Sequence, residues 1–289
     1  MERKVLVTGS HGFIGSHYYN YLKQQQQNVT PYDIKLGGED LADPNTTEHM
    51  PNFDVVVHLA ATNGTRLFYE NPTDVLINNT LPTINLIQRY KNTNTKFVFA
   101  STCEIFNGAI DQDYYPVPTN EQVPVMFDDI TNPRWSYSVP KALGENLVAN
   151  SGLEYVIIRY FNVYGPGQVD HFINEFVERC KQGEYYINGN DTRSFCYIDD
   201  AVKMTDELVR NHSNLTVNVG IQEEIKINVV AKLIMGIMNI NPDKLEIRPS
   251  PIGSAKRRCP DTTLVRALTE FTDYTPLIVG LRKTVESLL

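Results

Sequence analysis

Tyr137 and Lys141 are the two residues of this chain whose types and spacing point most directly to chemistry. They are four positions apart, so on a helix they lie on the same face, one turn from each other. A nearby ammonium group favours the phenolate form and is expected to lower the pKa of a tyrosine from about 10 towards neutrality. Such a tyrosine can take the proton of a hydroxyl group while a hydride leaves the same carbon. Because the spacing also occurs by chance in many helices, other segments must support this interpretation.

A glycine-rich turn lies at the start of the chain, directly after the β-rich run Lys4–Thr8. The glycines are Gly9, Gly12 and Gly15, and a helix pattern follows them. This arrangement lets the backbone turn tightly and approach a pyrophosphate, which the N-terminus of the helix then faces. The spacing is G-x-x-G-x-x-G and differs from the G-x-G-x-x-G of classical dehydrogenases. Because the turn joins an N-terminal strand to a helix, the sequence predicts a dinucleotide-binding site.

An acidic residue, Asp33, ends the next strand pattern, Asn28–Asp33, about twenty residues after the glycines. A carboxylate at this position can accept hydrogen bonds from the ribose hydroxyls of adenosine, and it would repel a 2′-phosphate. No arginine directly follows it, so the sequence favours NAD over NADP. The structural alternative is that Asp33 caps a turn.

The composition is that of an ordinary globular protein, since 42% of the 289 residues are hydrophobic and 21% are charged. The net charge of −8 argues against a general binder of nucleic acid or acidic membranes. A strand pattern begins at once and the apolar runs are short, so we expect no signal peptide, no membrane span and a cytoplasmic location. The four cysteines and six histidines show no metal-ligand spacing, so we expect no metal, and His58 is expected to pack at a strand end.

Strand and helix patterns alternate along the chain as far as Tyr160. After Asp33 they are, in order, strand Asp54–Ala61, helix 73–90, strand Lys96–Ala100, polar loop 111–132, the helix that carries Tyr137, and strand Glu154–Tyr160. The strand before Ser101 delivers that residue and its three successors to the carboxyl edge of the sheet, where ligands bind in such folds. The polar loop is expected to form a wall or lid over the site.

This alternation predicts an α/β fold: a Rossmann-type doubly wound parallel sheet followed by a smaller C-terminal α/β domain. We expect residues 1–165 to form the NAD-binding domain, with part of 190–220 returning to it. Residues 166–289 are expected to form mainly the second domain. The elements expected there are helices near 171–182, 198–210, 227–238 and 276–288, and strands near 184–188 and 215–219.

Taken together, these segments resemble the extended short-chain dehydrogenase/reductase family, the nucleotide-sugar epimerases and dehydratases. The matching pieces, which span nearly the whole chain in family order, are Thr8-Gly9-x-x-Gly12-Phe13-Ile14-Gly15, Asp33, Asp40-Leu41, His58-Leu59-Ala60-Ala61, Asn79, Ser101-Thr102, Tyr137-x-x-x-Lys141, Arg159-Tyr160-Phe161-Asn162-Val163-Tyr164-Gly165-Pro166, Arg193-Ser194-Phe195-Cys196-Tyr197-Ile198-Asp199-Asp200 and Arg257-Arg258-Cys259-Pro260-Asp261. Two departures are Phe106-Asn107-Gly108, where the family usually has Tyr-Gly, and Pro140, which can kink the helix that carries Tyr137.

The resemblance implies NAD as cofactor and a nucleotide sugar, most often a UDP-sugar, as substrate. It also implies that the smaller C-terminal α/β domain is the substrate-binding domain and that a homodimer forms through helices 73–90 and 136–150. The implied cofactor contacts are Gly9, Gly12, Phe13, Ile14, Gly15, Asp33, Asp40, Leu41, Leu59, Ala60, Ala61, Asn79, Ser101, Tyr137, Lys141 and Tyr160. The implied substrate contacts are Thr62, Asn63, Asn162, Arg193, Arg258 and Asp261, with the arginines and Asn162 around the diphosphate. A surface ion pair is the structural alternative for either arginine.

The resemblance also implies that Tyr137, helped by Thr102 and Lys141, oxidises carbon 4 of the sugar. Glu104 stands at the position of the base in the family's dehydratases, and Cys103 replaces their aspartic acid. A thiol with an ordinary pKa of about 8.5 is mostly protonated at neutral pH and can donate a proton. This stretch resembles that of the family's 5,6-dehydratases from the tunicamycin pathway.

The first hypothesis is therefore an NAD-dependent dehydratase that removes water across carbons 5 and 6 of a UDP-hexose. UDP-N-acetylglucosamine is the expected substrate, and the outcome is either 5,6- or 4,6-dehydration. The alternatives that stay open are a UDP-sugar 4-epimerase, a UDP-uronate decarboxylase and a non-catalytic NAD-binding sensor.

Overall fold

Strands and helices alternate as far as Tyr160 in this computed structural model, which describes residues 3–250 and 255–289. The strands are β1 (Lys4–Thr8), β2 (Asn28–Tyr32), β3 (Val55–His58), β4 (Lys96–Thr102), β5 (Glu154–Tyr160), β6 (Val163–Tyr164), β7 (Tyr186–Asn188), β8 (Thr192–Arg193), β9 (Cys196–Tyr197), β10 (Leu215–Val219), β11 (Ile225–Lys226), β12 (Glu246–Arg248) and β13 (Arg257–Arg258). The helices are α1 (Phe13–Gln24), α2 (Pro44–Glu48), α3 (Thr65–Glu70), α4 (Pro72–Tyr90), α5 (Asn107–Asp111), α6 (Trp135–Ala149), α7 (Phe172–Lys181), α8 (Ile198–Asn211), α9 (Ile227–Ile237), α10 (Thr263–Leu268) and α11 (Leu277–Glu286).

The central sheet is parallel and doubly wound, as predicted. Within the described residues it has six strands in the order β10-β5-β4-β3-β1-β2. The chain starts in the interior of the sheet at β1, adds β2 on one side and then continues on the other side from β3. Thr8 and His58, at the carboxyl ends of β1 and β3, are register partners at this reversal. The crevice at such a reversal is where ligands bind in open parallel sheets.

Both faces of the sheet are buried because its strands consist largely of consecutive apolar residues. Val5, Val7 and Val57 face one core, which also contains side chains of α1 and α8. Leu6 and Val56, which alternate with them, face a second core that contains side chains of α4 and α6. The helix that carries Tyr137 is thereby packed against the sheet beside the site.

The C-terminal region differs from the predicted pattern mainly in its short strands. β8 pairs with β11 and β13, and these two-residue strands are too short to produce a periodic signal. β10 lies beside β5 in the central sheet, so the chain returns there after passing through this region. The predicted strand Asp54–Ala61 ends at His58, and α3, which follows it, was not predicted.

Residues 112–134, between α5 and α6, contain no helix or strand, in agreement with the predicted loop 111–132. Thr119 attaches this loop to the segment after β13: its N–H donates to the carbonyl of Cys259, and its carbonyl accepts from Asp261, each at 2.8 Å. In the part of the chain that the structure describes, no helix is long and apolar enough to cross a membrane.

Candidate active site

Tyr137 and Lys141 lie one turn apart in α6, as their spacing predicts. Pro140 lies inside this helix, which nevertheless continues to Ala149. The ammonium nitrogen of Lys141 lies 5.8 Å from the centre of the Tyr137 ring. Phe68 of α3 stacks on the same ring, with 5.2 Å between the ring centres. The tyrosine is thus held between an aromatic wall and the turn that carries the lysine.

The predicted lowering of the Tyr137 pKa is wrong. Burial raises the pKa of Tyr137, and the negative charge of Glu104 raises it further. Burial also lowers the pKa of Lys141 to about 8. Desolvation disfavours the charged form of each group, which explains the direction of both shifts.

Glu104 follows β4 in a single turn of 3-10 helix, and the Thr102 side chain accepts a hydrogen bond from its N–H at 3.2 Å. One carboxylate oxygen of Glu104, Oε1, lies 3.2 Å from Nη2 of Arg258 and 3.4 Å from Nη2 of Arg134. The three side chains are only 10–13% exposed. Glu104 is therefore held in a buried ionic cluster.

At neutral pH the carboxyl group of Glu104 is deprotonated, whereas the thiol of Cys103 is protonated. Burial alone would raise the pKa of Glu104, but the charges of Arg134 and Arg258 lower it below its usual range. Burial raises the pKa of the Cys103 thiol. The site therefore presents an ionised carboxylate and a protonated thiol, which are the forms that a base and an acid require.

Arg193 and Arg258, the two arginines predicted at the diphosphate, are register partners on the parallel strands β8 and β13. Burial and the charge of Arg258 lower the pKa of Arg193 to about 10. The ion pair that Arg258 makes is with Glu104 and is buried, so the surface ion-pair alternative is wrong for this residue. Two buried like charges side by side favour the binding of an anion.

Two further predicted substrate residues lie near this region. Asn162 has a positive φ of 37°, and its buried Nδ2 has no hydrogen-bond acceptor within the described ranges. Asp261 instead accepts a hydrogen bond from the N–H of Thr263 at 2.8 Å. Asn162 therefore retains a free donor, whereas Asp261 contributes at least one oxygen to a local turn.

The glycine turn fits a pyrophosphate. Gly9 has a φ of +69°, and a side chain there would overlap the backbone of Ala60. A side chain at Gly15 would overlap the carbonyl of Gly9, so the turn is as tight as the spacing predicts. α1 begins after Gly12 with no side-chain cap and no acidic residue in its first turn. Its first N–H groups and the positive end of its dipole thus suit a phosphate.

Asp33 lies at the end of β2 and is almost fully buried. Its Oδ2 accepts a hydrogen bond from the N–H of His11 at 2.8 Å, and its Oδ1 accepts one from Lys35 at 2.9 Å. Asp33 therefore does cap a turn, as the structural alternative proposed. A carboxylate has about four acceptor sites, so these bonds leave capacity for ribose hydroxyls. Asp40 likewise accepts from a local N–H, and Leu41 is buried.

Asn79 fixes the segment after β3, which contains Leu59, Ala60, Ala61 and Thr62. Its amide donates to the carbonyl of Thr62 and accepts from the N–H of Thr62, both at 2.9 Å. Asn63 accepts a hydrogen bond from the N–H of Gly64 at 2.9 Å. These small residues are thereby held in a defined backbone at the edge of the sheet.

Ser101 and Tyr160 are bonded to neighbouring elements. Ser101 donates to Glu145 of α6, which also forms a buried ion pair with Arg159 at 2.7 Å. The Tyr160 hydroxyl lies 2.8 Å from the hydroxyl of Thr205 in α8. The first network ties α6 to β4 and β5, and thereby positions Tyr137.

Sequence reasoning missed Arg134, Phe68, Tyr69 and His171. Arg134 immediately precedes α6, and Glu104 and, to a smaller extent, Tyr69 of α3 raise its pKa. His171, just before α7, feels the charge of Glu104, although burial dominates and lowers its pKa. The one available signal was the position of Arg134 directly before the Trp135–Lys141 stretch.

The remaining titratable groups give no sign of metal chemistry. Over residues 3–250 and 255–289, no cluster of His, Cys, Asp and Glu could hold a metal ion. His58 is buried between the hydroxyls of Thr8 and Thr83, at 2.8 and 3.2 Å, and burial lowers its pKa to about 3. This confirms its predicted packing role.

A family model described as the NAD dependent epimerase/dehydratase family matches residues 5–220. The chain belongs to this family. It is 29% identical to the UDP-N-acetyl-alpha-D-glucosaminuronate decarboxylase of Bacillus cytotoxicus over 99% of this chain and 98% of that protein. The family resemblance predicted from the sequence is confirmed. The protein is an enzyme and its cofactor is NAD.

Two solved structures confirm the fold. The UDP-glucose 4-epimerase of Thermotoga maritima, solved with UDP-glucose, has a TM-score of 0.85 at 24% identity and covers 98% of both chains. An NAD-dependent NDP-hexosamine 5,6-dehydratase involved in tunicamycin biosynthesis has a TM-score of 0.83 at 23% identity, over 99% of this chain and 97% of that one. Both structures therefore share the architecture described above.

Proposed function

We propose that this enzyme oxidises carbon 4 of a UDP-hexuronate and then removes the carboxyl carbon of the sugar as carbon dioxide. The observation that carries the proposal is the pairing of Arg134 and Arg258 with Glu104, next to the catalytic tyrosine. The full-length similarity to a uronate decarboxylase supports it.

The charges of the ionic cluster favour an acidic sugar. Arg134, Arg193 and Arg258 bring three positive charges to the region of Glu104, which carries one negative charge. Buried positive charge is costly unless an anion accompanies it. The diphosphate can balance part of it, but the charge of Glu104 acts on Tyr137, so part of the cluster lies at the reacting end of the sugar. A carboxylate on carbon 5 fits an arginine fork, whereas a hydroxymethyl group has no charge to pair.

The first step is oxidation at carbon 4. NAD, when bound, supplies the acceptor for the hydride that leaves this carbon and later returns to it. Tyr137 takes the proton of the 4-hydroxyl. Because the pKa of Lys141 is about 8, this residue is mainly charged at neutral pH and stabilises the phenolate that the step requires. We also assign the hydroxyl group of Thr102, at the end of β4, to this oxidation step.

The second step is loss of the carboxylate. With a ketone at carbon 4 the sugar is a β-keto acid, so the bond between carbons 5 and 6 breaks and carbon dioxide leaves. The electron pair of that bond forms a double bond between carbons 4 and 5 while the carbonyl pair moves onto the ketone oxygen, and the enolate then takes a proton at carbon 5. We assign this proton to the buried thiol of Cys103, which regains it from solvent. Arg258 holds the carboxylate before it leaves. Return of the hydride to carbon 4, together with return of the proton from Tyr137 to its oxygen, completes the UDP-pentose.

The second candidate is the dehydratase of a UDP-N-acetylhexosamine. It is favoured by the ionised Glu104, which can remove the proton from carbon 5, and by the protonated Cys103, which can protonate the departing 6-hydroxyl. The decarboxylase ranks first because the two arginines on Glu104 weaken it as a base. Simple 4-epimerisation needs no acid–base pair at this position.

The test is mass spectrometry of the nucleotide sugars formed from UDP-glucuronate, UDP-N-acetylglucosaminuronate and UDP-N-acetylglucosamine. Loss of carbon dioxide from either uronate is the expected result. Loss of water from the third sugar would support the dehydratase instead, and an unchanged mass with a new retention time would indicate epimerisation. Arg258→Met should abolish loss of carbon dioxide while NAD binding persists. Arg257→Met is the matched control, because this neighbour pairs with Glu224 at the surface.

The roles of the two domains and the homodimer form part of the same proposal. Residues 1–165, together with β10, bind NAD, and residues 166–289 mainly bind the nucleotide sugar. Ile77 and Leu81 of α4 and Leu143 of α6 are 44, 38 and 43% exposed. These apolar side chains support a homodimer formed through the two helices.

A further inference from the structure

Arg134 takes part in neither step of the proposed reaction, although its side chain is buried and the residue is only 8% exposed. It is the residue directly before α6, the helix that carries Tyr137. Its guanidinium lies 3.4 Å from Oε1 of Glu104. The charge of Glu104 raises the pKa of Arg134. A buried guanidinium of this kind costs desolvation energy, which Glu104 offsets.

The two oxygens of Glu104 are unequal. Arg134 and Arg258 both lie on Oε1. Oε2 is buried and has no hydrogen-bond donor among the residues that the structure describes. An unpaired buried carboxylate oxygen is costly, so it is typically completed by a ligand or water. The arginines thus fix one oxygen and leave the other for a donor that comes from outside the chain.

Charged and titratable groups face Glu104 from several elements. The groups around Glu104 are Arg134 before α6, Arg193 on β8, Arg258 on β13, His171 before α7, Cys103 and Tyr137. Arg193 and Arg258 belong to the region that we propose binds the diphosphate and carboxylate. Arg134 alone in this group joins Glu104 to the start of the catalytic helix.

We propose that Arg134 is a positioning residue that acts through Glu104, fixing Oε1 so that Oε2 accepts a hydrogen bond from the reacting sugar. This inference rests on the proposed function only in requiring that Glu104 faces the sugar. In loss of carbon dioxide this hydrogen bond orients the sugar, and in loss of water the same carboxylate would also act as the base. Removal of the Arg134 charge should therefore change the titration of Glu104 and the rate of reaction, while the nucleotide cofactor still binds.

The direct test is a carbon-13 NMR titration of NAD-loaded enzyme labelled at the glutamate carboxyl carbons. Glu104→Gln identifies the Glu104 signal. Loss of an opposite charge at this distance typically moves a carboxyl pKa by about one unit or more, so Arg134→Gln should raise the titration midpoint by at least that amount. Arg134→Lys should restore part of the shift. The control is Arg66→Gln, because Arg66 pairs with Glu70 at the surface. An unchanged midpoint in Arg134→Gln, or an equal shift in the control, overturns the proposal.

The kinetic test uses whichever nucleotide sugar the unmodified enzyme converts. Arg134→Gln should lower kcat about tenfold or more, because a Glu104 carboxylate that is no longer held in place loses its alignment with the sugar. It should also move the acid limb of kcat/KM to higher pH, because Glu104 acts in its ionised form. Unchanged kcat and an unchanged limb would contradict the inference. Failure of the unmodified enzyme to release carbon dioxide from uronates overturns the proposed function alone, since the NMR midpoint still decides the role of Arg134.

Discussion

Replacement of Lys141 by methionine should stabilise the NAD-free enzyme by about 3 kcal/mol at pH 7. Lys141 is only 2% exposed, and burial lowers its pKa from 10.5 to about 8. Each pKa unit corresponds to about 1.4 kcal/mol, so this difference costs the folded state about 3 kcal/mol while the lysine is charged. Methionine has a similar length and no charge to desolvate. The residue thus lowers stability in exchange for its role beside Tyr137.

The stability gained in Lys141→Met should decrease as the pH rises. Because the folded pKa lies below the unfolded one, the cost is complete below about pH 8 and disappears as the pH rises through about 10.5. The advantage of Lys141→Met should fall to about 2 kcal/mol at pH 9 and to below about 1 kcal/mol at pH 10.

Urea unfolding at these three pH values measures the difference directly. Lys96→Met is the control, because the ammonium of Lys96 donates to the carbonyls of Val209 and His212, each at 2.9 Å. Its loss leaves two acceptors unpaired and should destabilise the protein by about 1–3 kcal/mol. A Lys141→Met variant that is less stable than the unmodified enzyme, or whose advantage does not change with pH, would refute the reasoning.

Three further predictions concern catalysis, the buried network and assembly. Tyr137→Phe should lower turnover by about 10²–10⁴ and leave NAD binding intact, as measured by steady-state kinetics and calorimetry; equal loss of both would contradict its assignment. Arg159→Met should destabilise the enzyme by about 3–5 kcal/mol in urea unfolding because it leaves Glu145 buried and unpaired; a change below about 1 kcal/mol would show that this pair is dispensable. Leu81→Glu combined with Leu143→Glu should convert a dimer to a monomer in light scattering, and an unchanged mass would exclude this interface.

Sequence reasoning predicted those features that depend on neighbouring residues. The valine-rich strands, the glycine turn before α1 and the Tyr137–Lys141 pair all follow from local pattern, and the structure has them. The short strands β8 and β13, which bring Arg193 and Arg258 together, give no periodic signal because each contains two residues.

The contacts that define the chemistry at Glu104 arise from distant parts of the chain. Arg258 is far from Glu104 in sequence, and Phe68 reaches Tyr137 from an unpredicted helix. The same holds for the direction of the Tyr137 pKa, which burial and the charge of Glu104 determine. Spacing within one helix shows that a lysine is near, but it does not show how strongly the pair is desolvated.

The central claim is tested most directly with a UDP-hexuronate labelled with carbon-13 at the carboxyl carbon. The enzyme is predicted to release labelled carbon dioxide in a one-to-one ratio with a UDP-pentose, and the reaction in heavy water should leave one deuterium at carbon 5. Retention of the label in the sugar, together with loss of water from UDP-N-acetylglucosamine, would contradict decarboxylation and return Glu104 to the role of a dehydratase base.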